Sequence, residues 1–167
     1  NKKRNLPAIF FDRDGVLIED CHYISSPDKV KIELGVIDLL RYAKSRNWLI
    51  IVITNQSGIS RGFFDWKDYD LVTNKFLTLL NSFNLINAIY ANGYSETTNI
   101  NWRKPNPFMI LEAQKDFNID IDKSILIGDR ISDLQAATRA GIKNVFHVLS
   151  GHGSKERENI LKSTKLI

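Results

Sequence analysis

Asp12 and Asp14 stand two positions apart, directly after an apolar run that ends at Phe11. Carboxylates crowded at the end of a buried strand repel each other, so such a corner tends to hold a cation or a shared proton. Alternate residues of an extended segment lie on one side, which predicts that both carboxylates face a ligand while Arg13 points away. Gly15 then lets the backbone turn and bring its N–H groups to an anion. Two solvated acids in a turn remain an equal alternative for this motif taken alone.

Polar side chains also follow each of the next three apolar runs. In a parallel sheet all strands end at one edge, so side chains that follow different strands meet there. We therefore expect a single polar site at that edge. Its expected members are Asp12, Asp14, Thr54, Lys104, Asp129 and Asp133.

The apolar runs alternate with segments of helical periodicity. We predict strands at 8–11, 48–53, 88–91, 124–127 and 144–148, and helices at 35–47, 66–83, 107–117, 132–140 and from 155 onward. Asp65 is the expected N-cap of the second helix, and Asn106 with Pro107 the expected start of the third. The alternation predicts an α/β fold in which helices cover both faces of a parallel sheet.

Length and composition indicate one globular domain over residues 1–167, with 43% hydrophobic and 25% charged residues. The longest apolar run is too short to span a bilayer, so we expect a cytoplasmic protein, and we expect a monomer. Cys21 is the single cysteine, which excludes an internal disulfide. The net charge of +4 suits an anionic small-molecule substrate, but the basic residues concentrate near the chain ends, so nucleic acid is not the expected partner.

Four carboxylates at one edge need cations to offset their repulsion. Oxygen-rich sites of this kind suit Mg²⁺, and a lysine would supply a second positive charge. A cation, a lysine, a threonine hydroxyl and backbone N–H groups together stabilise the oxygens of a transferring phosphate. The sequence contains no P-loop and no Gly-x-Gly-x-x-Gly motif, which argues against P-loop nucleotide hydrolysis and dinucleotide binding.

Four segments, from Phe11-Asp12-Arg13-Asp14-Gly15-Val16-Leu17 onward, resemble the ordered motifs of the haloacid dehalogenase (HAD) phosphohydrolase superfamily. The others are Thr54-Asn55-Gln56-Ser57-Gly58-Ile59, Arg103-Lys104-Pro105 and Gly128-Asp129-Arg130-Ile131-Ser132-Asp133. The resemblance runs from Ala8 to about Leu149 and is greatest to the D-glycero-D-manno-heptose-1,7-bisphosphate 7-phosphatases. It implies a Rossmann-like HAD fold without a large cap domain, and hydrolysis of a sugar bisphosphate on a route to surface polysaccharide.

The resemblance also implies catalytic roles. Asp12 would attack phosphorus and form an aspartyl-phosphate. Asp14 would protonate the leaving alkoxide and then deprotonate the hydrolytic water. Lys104 would stabilise the developing charge and orient Asp12. Mg²⁺ would bind Asp12, Asp129 and the backbone carbonyl of Asp14, while Asp133 would support the metal through water or Lys104.

Substrate contacts follow from the same resemblance. Thr54 and Asn55 would hold phosphoryl oxygens, and Arg103 and Arg61 would meet anionic or hydroxyl groups of the substrate. Family members carry a zinc loop of Cys-x-His and Cys-x-Cys before the Arg-Lys-Pro motif. Here that loop lacks every ligand, with Asn92-Gly93-Tyr94-Ser95 and then Ile100-Asn101-Trp102 in its place, so we expect no structural zinc.

Two other functions fit the motifs. A polynucleotide 3′-phosphatase shares this pattern without zinc and predicts salt-sensitive binding to DNA ends. A HAD-like protein that binds a phosphorylated ligand without turning it over is the non-catalytic alternative. Outside the motifs, His152 lies between two glycines and could reach the site, whereas we expect Arg130 to be a surface ion-pair partner.

Overall fold

The computed structural model describes residues 5–81, 84–96 and 102–163. Its strands are β1 (Ala8–Phe11), β2 (Leu49–Asn55), β3 (Ala88–Asn92), β4 (Ile125–Gly128) and β5 (Asn144–His147). Its α-helices are α1 (Val36–Ser45), α2 (Trp66–Leu79), α3 (Phe108–Phe117), α4 (Ile131–Arg139) and α5 (Gly153–Lys162). The predicted alternation of strands and helices is confirmed.

The five strands form one parallel sheet in the order β3-β2-β1-β4-β5. From β1 the chain first builds outward through β2 and β3, and then returns to the other side of β1 for β4 and β5. The strand order therefore reverses between β1 and β4, which is where open α/β sheets bind ligands. Asp12 and Asp129 follow these two strands directly.

The central strands are buried on both faces, as a parallel sheet requires. Within β1, Ile9 and Phe11 pack into the apolar core on one face, and Phe10 packs into the core on the other. The first core also contains Leu40 of α1 and Phe76 of α2. Four buried apolar residues in a row in β1 thus anchor the sheet whose edge carries the site.

The predicted helix ends agree with the structure to within two positions except at the end of α2, and one predicted N-cap is wrong. Asp65 caps α2 as predicted, and its carboxylate accepts a hydrogen bond from the Asp68 N–H at 2.9 Å. However, α2 ends at Leu79, and residues 82–83, where we predicted its end, lie outside the described residues. The N-cap of α3 is Pro107 rather than Asn106, because the Pro107 carbonyl accepts the first helical hydrogen bonds.

β2 and β4 end later than their apolar runs predict. β2 continues through Thr54 and Asn55, which pair with Ala91 and Asn92 of β3, so these polar residues belong to the sheet edge itself. β4 begins at Ile125 and ends at Gly128, one position later than predicted at each end. Backbone pairing continues past the apolar run in β2, and that is why periodicity underestimates its length. No described helix has the length and apolarity needed to cross a membrane.

Candidate active site

Three buried carboxylates converge at the carboxyl ends of β1 and β4. One oxygen each of Asp12, Asp129 and Asp133 lies within 4.8 Å of the others. Asp12 is positioned by its backbone N–H, which donates to the Ile127 carbonyl at 3.2 Å and so ties the end of β1 to β4. The predicted convergence of these residues is confirmed for this cluster.

Lys104 supplies the positive charge inside the cluster. Its ammonium lies 2.8 Å from Asp12 Oδ1 and 2.7 Å from Asp133 Oδ1, and it donates to the Ile53 carbonyl at 2.9 Å. Only 3% of the residue is exposed. Burial opposes its charge, but Asp12 and Asp133 outweigh burial and raise the pKa of Lys104. Lys104 is therefore held as a cation between the two carboxylates.

Burial disfavours the ionised forms of Asp12 and Asp129. Burial raises the pKa of Asp12 well above its usual range, although Lys104 partly offsets that rise. Burial, followed by the charge of Asp133, raises the pKa of Asp129 to about 6. The positive charge of Lys104 thus offsets only part of the cost of burying Asp12 and Asp129.

The turn after β4 and the start of α4 position the other two carboxylates. Asp133 lies in the first turn of α4 and its Oδ2 accepts from the Arg130 N–H at 3.0 Å. Asp129 Oδ2 accepts from the His152 N–H at 2.8 Å. Gly15 and Gly151 both have positive φ, and a Cβ on Gly15 would lie 2.7 Å from Asp129 Oδ2. Only glycine at positions 15 and 151 lets the turn after β1 and the turn after β5 lie this close to Asp129.

The residues fit a divalent cation. Asp129 Oδ1 is buried and has no hydrogen-bond partner within the described ranges 5–81, 84–96 and 102–163. An unpaired buried carboxylate oxygen is costly unless a cation binds it. The donor set is oxygen only, which suits Mg²⁺ rather than a thiolate-seeking metal. A phosphoryl group bound at such a cation would lie next to Asp12.

Thr54 and Asn55 lie beside the carboxylates, but their side chains are engaged by the protein. Thr54 is fully buried, and its hydroxyl accepts from Gln56 Nε2 at 2.7 Å. Asn55 brackets the backbone of Lys104: its Oδ1 accepts from the Lys104 N–H at 3.1 Å and its Nδ2 donates to the Lys104 carbonyl at 3.2 Å. Asn55 thereby holds the Arg103-Lys104-Pro105 segment against the segment that begins at Thr54. The phosphoryl-binding roles of both residues stay predictions.

Asp12 and Asp14 both line the cleft and the buried Arg13 does not, as their spacing predicts. The sequence does not predict that the Arg13 side chain folds onto Asp14, with Arg13 Nε 2.9 Å from Asp14 Oδ1 and Arg13 Nη2 3.2 Å from Asp14 Oδ2. A fully buried guanidinium needs a charged partner, and the adjacent carboxylate is within its reach. Asp14 faces the cleft and remains about one quarter exposed.

Three arginines reach the cleft that opens above the carboxylates. They are Arg61, Arg103 and Arg130. Arg103 is mostly buried: its Nη2 pairs with Glu96 Oε1 at 3.1 Å, and its Nη1 is buried without a hydrogen-bond partner among the residues described. Arg61 is exposed at the rim. The cleft that Asp12 lines therefore also carries positive charge, although the substrate roles of Arg61 and Arg103 stay predictions.

Sequence reasoning missed several residues that line the cleft. Gln56 donates to Asp14 Oδ2 at 2.9 Å, and its place two positions after Thr54 in the second motif was the available signal. Asp20 lies in the loop after β1 and its Oδ2 is 2.9 Å from His152 Nδ1, a contact for which the sequence gives no signal. His152 does line the cleft, and Arg130 contacts its ring rather than a carboxylate. Burial and Arg130 lower the pKa of His152.

The loop before the third motif is described only in part. Asn92 is buried at the end of β3 and donates to the Tyr94 carbonyl at 3.1 Å. Trp102 is partly exposed beside Arg103. Residues 97–101, which include Ile100 and Asn101 of the predicted zinc-free segment, lie outside the described residues. The expectation of no structural zinc stays a prediction.

Comparison with known proteins places this geometry in a family. Residues 101–165 match the family model described as HAD-hydrolase-like. A D-glycero-beta-D-manno-heptose-1,7-bisphosphate 7-phosphatase of Helicobacter pylori (strain ATCC 700392 / 26695) is 38% identical over 140 residues, covering 82% of this chain and 80% of that protein. A D-glycero-alpha-D-manno-heptose-1,7-bisphosphate 7-phosphatase of Photorhabdus laumondii is 34% identical over 170 residues, covering 96% and 93%.

A solved structure agrees. The D,D-heptose 1,7-bisphosphate phosphatase from B. bronchiseptica, complexed with magnesium and phosphate, superposes with a TM-score of 0.85 at 28% identity, covering 92% of this chain and 87% of that one. The chain therefore belongs to the heptose-1,7-bisphosphate 7-phosphatase family of HAD-like hydrolases.

Proposed function

We propose that this protein is a Mg²⁺-dependent phosphatase that removes the 7-phosphate of a heptose 1,7-bisphosphate through an aspartyl-phosphate at Asp12. The observation that carries the proposal is the contact of Asp12 with Lys104 inside a cluster of three buried carboxylates. A lone buried carboxylate would be a weak nucleophile, because its raised pKa favours the protonated form. The ammonium of Lys104 and a bound cation together keep it ionised.

The reaction divides into two steps. In the first, an oxygen of Asp12 attacks phosphorus, the bond from phosphorus to the sugar oxygen breaks, and Asp14 gives its proton to the departing alkoxide. In the second, water attacks the phosphoryl group, Asp14 takes back a proton, and inorganic phosphate leaves with Asp12 regenerated. Lys104 remains paired with Asp12 and offsets the charge that gathers on the phosphoryl oxygens.

Asp12, Asp129 and the backbone carbonyl of Asp14 would hold Mg²⁺, with Asp133 fixing Lys104 beside them. When bound, Mg²⁺ neutralises charge on the phosphoryl oxygens and reduces their repulsion of the Asp12 carboxylate. Asp129 Oδ1, which has no hydrogen-bond partner among the residues that the structure describes, supports this placement, as do the magnesium and phosphate bound by the B. bronchiseptica relative.

Arg103 and Arg61 are the residues we propose for the second phosphate of the substrate. Arg103 is preorganised because most of its side chain is buried, while its guanidinium lines the same cleft as Asp12. Planar guanidinium groups bind phosphate oxygens in pairs. Relatives named for either anomer match the chain, so a direct comparison of the alpha and beta substrates would decide the preference.

Phosphate release from a panel of phosphomonoesters tests the proposal. The panel contains both anomers of heptose 1,7-bisphosphate, histidinol phosphate and a 3′-phosphorylated DNA end, each with Mg²⁺ and with a chelator. We expect hydrolysis of a heptose bisphosphate that needs Mg²⁺ and disappears in Asp12→Asn. Asp122→Asn is the matched control, because Asp122 pairs with Lys143 on the surface.

Each other outcome has a meaning. Activity that survives Asp12→Asn removes the nucleophile. Preference for the DNA end supports the polynucleotide phosphatase, and binding without hydrolysis across the panel supports the non-catalytic alternative. The monomeric state and the cytoplasmic location also stay predictions, and sedimentation equilibrium of the purified protein tests the first of them.

A further inference from the structure

Arg13 is a fully buried cation that makes two contacts with the Asp14 carboxylate. None of its surface is exposed, and its Nε and Nη2 both contact the Asp14 carboxylate, at 2.9 Å and 3.2 Å. The guanidinium carbon lies 5.2 Å from the ring centroid of Tyr69, which packs against the guanidinium. Two parallel N–H contacts restrict a carboxylate in direction as well as in distance. Arg13 thus restrains Asp14 from behind the cleft.

Gln56 completes the restraint from the side of β2. Its Nε2 donates to Asp14 Oδ2 at 2.9 Å and to Thr54 Oγ1 at 2.7 Å, while its Oε1 accepts from Arg13 Nη2 at 3.1 Å. Gln56 is 3% exposed, so it has little freedom to move away. Asp14 is therefore held by two buried side chains that follow different strands of the sheet, β1 and β2.

We propose that Arg13 and Gln56 are positioning residues for proton transfer, because they hold the Asp14 carboxylate at the mouth of the cleft where the leaving oxygen departs. This inference rests on the function proposed above. Asp14 is the catalytic residue, since it alone of the three would exchange a proton with the substrate or water. The Asp14 side chain is 26% exposed, whereas the Arg13 side chain is 0% exposed.

The proposed role predicts a dependence on the leaving group. An alkoxide, such as a sugar oxygen, is strongly basic and must be protonated by Asp14 as its bond to phosphorus breaks. A nitrophenolate is weakly basic and leaves without that proton. Since kcat/KM covers only the steps up to departure of the first product, misplacing Asp14 should lower kcat/KM for an alkyl phosphate and spare it for an aryl phosphate.

Arg13→Lys and Gln56→Met are the test variants. Lysine keeps a buried charge but cannot make the double contact, and methionine keeps the length of glutamine without its amide. We expect kcat/KM for heptose bisphosphate to fall about 10²-fold, within the range of general acid catalysis, and kcat/KM for p-nitrophenyl phosphate to change less than about threefold. A burst of nitrophenol should also appear, because hydrolysis of the aspartyl-phosphate still requires Asp14 as base.

Two controls separate positioning from general damage. Arg46→Lys changes another arginine, whose guanidinium carbon lies 5.2 Å from the ring centroid of Tyr42 on the surface. It should leave kcat/KM unchanged for both the alkyl and the aryl phosphate. In an Asp14→Asn background, Arg13→Lys should lower alkyl phosphate turnover no further, because both changes remove the same proton transfer.

The outcomes are distinguishable from failure of the proposed function. If wild-type protein hydrolyses neither substrate, the proposed function is wrong. If wild-type protein is active and both variants lose kcat/KM equally on the alkyl and aryl substrates, the positioning role is overturned. If Arg13→Lys does not fold, Gln56→Met alone decides, because it leaves the buried charge pair in place.

Discussion

Lys104 Nζ lies 2.8 Å from Asp12 Oδ1, although 92 positions separate the two residues along the chain. The same ammonium contacts Asp133, so one cation stabilises two buried carboxylates. Removing one partner of a buried ion pair leaves uncompensated charge in the core. We expect Lys104→Met to abolish phosphate release and to lower the free energy of unfolding by about 3 kcal/mol at neutral pH. Urea denaturation in the presence of a chelator measures the stability change.

Lys143→Met is the control for that variant. Lys143 also pairs with an aspartate, at 2.9 Å from Asp122, but both side chains are exposed. Exposed pairs are screened by water and contribute little. We expect no measurable loss of stability in Lys143→Met. Equal losses in the two lysine variants would contradict the assignment of Lys104 as the internal counter-ion.

The stability gained from Mg²⁺ should depend on pH. The pKa of Asp129 is raised to about 6, so the folded protein without a cation binds a proton that the unfolded chain releases near pH 4. A raised carboxyl pKa costs stability as pH rises between these two values, and the cost is greatest above about pH 6. Mg²⁺ binds the ionised carboxylate and removes that cost. The increase in Tm caused by Mg²⁺ should therefore be small at pH 5 and largest at pH 7 and above.

Asp129→Asn checks the origin of this pH dependence. The amide cannot ionise, so without Mg²⁺ the variant should be more stable than the wild type at pH 7 and should gain little Tm from the metal. Thermal melts of both proteins at pH 5, 6, 7 and 8 provide the comparison. A Mg²⁺ effect on wild-type Tm that is constant over this range would contradict the role of Asp129.

Much of this site could be predicted from the sequence because its main residues follow apolar strands. A parallel sheet brings strand ends to one edge whatever the loops do, so the positions of Asp12 and Asp129 follow from topology. The strand lengths could not be predicted equally well. Thr54 belongs to β2 through backbone pairing with β3, and apolar periodicity does not detect such pairing.

Two contacts between site residues could not be predicted from the sequence. Arg13 folds onto Asp14 because a buried guanidinium needs a charged partner, and no one-dimensional pattern reveals that it is buried. Asp20 reaches His152 through the path of the loop after β1, which has no regular periodicity. Sequence patterns thus predict which elements meet, whereas side-chain pairing depends on burial.

Glu96 should compete with the second phosphate of the substrate. Its carboxylate lies 3.1 Å from Arg103 Nη2, on the guanidinium that we propose for that phosphate, and 76% of the Glu96 side chain is exposed. Exposed ion pairs are weak, so we expect Glu96→Gln to lower KM for heptose bisphosphate by about two- to fivefold with kcat unchanged. Glu112→Gln, which breaks the Glu112–Lys115 pair on α3, is the control. A higher KM in Glu96→Gln would instead mean that Glu96 orients Arg103.

We expect cation binding to depend on Gly151, because the lack of a Cβ at this position leaves room for the Asp129 carboxylate. Its φ is +56°, and a Cβ there would overlap Asp129 Oδ2 and the Cα of Gly15. Gly35 has a φ of +81°, and no atom of the described part of the chain lies within 4 Å of the corresponding Cβ, so Gly35→Ala introduces backbone strain without a steric overlap. We expect Gly35→Ala to lose about 1 kcal/mol of stability, and Gly151→Ala to lose more, because its Cβ also overlaps neighbouring atoms. Only Gly151→Ala should also weaken Mg²⁺ binding, by tenfold or more as measured by isothermal titration calorimetry, since the Cβ displaces the Asp129 carboxylate. Equal Mg²⁺ affinity in the two variants would show that Asp129 does not need this close turn to bind the metal.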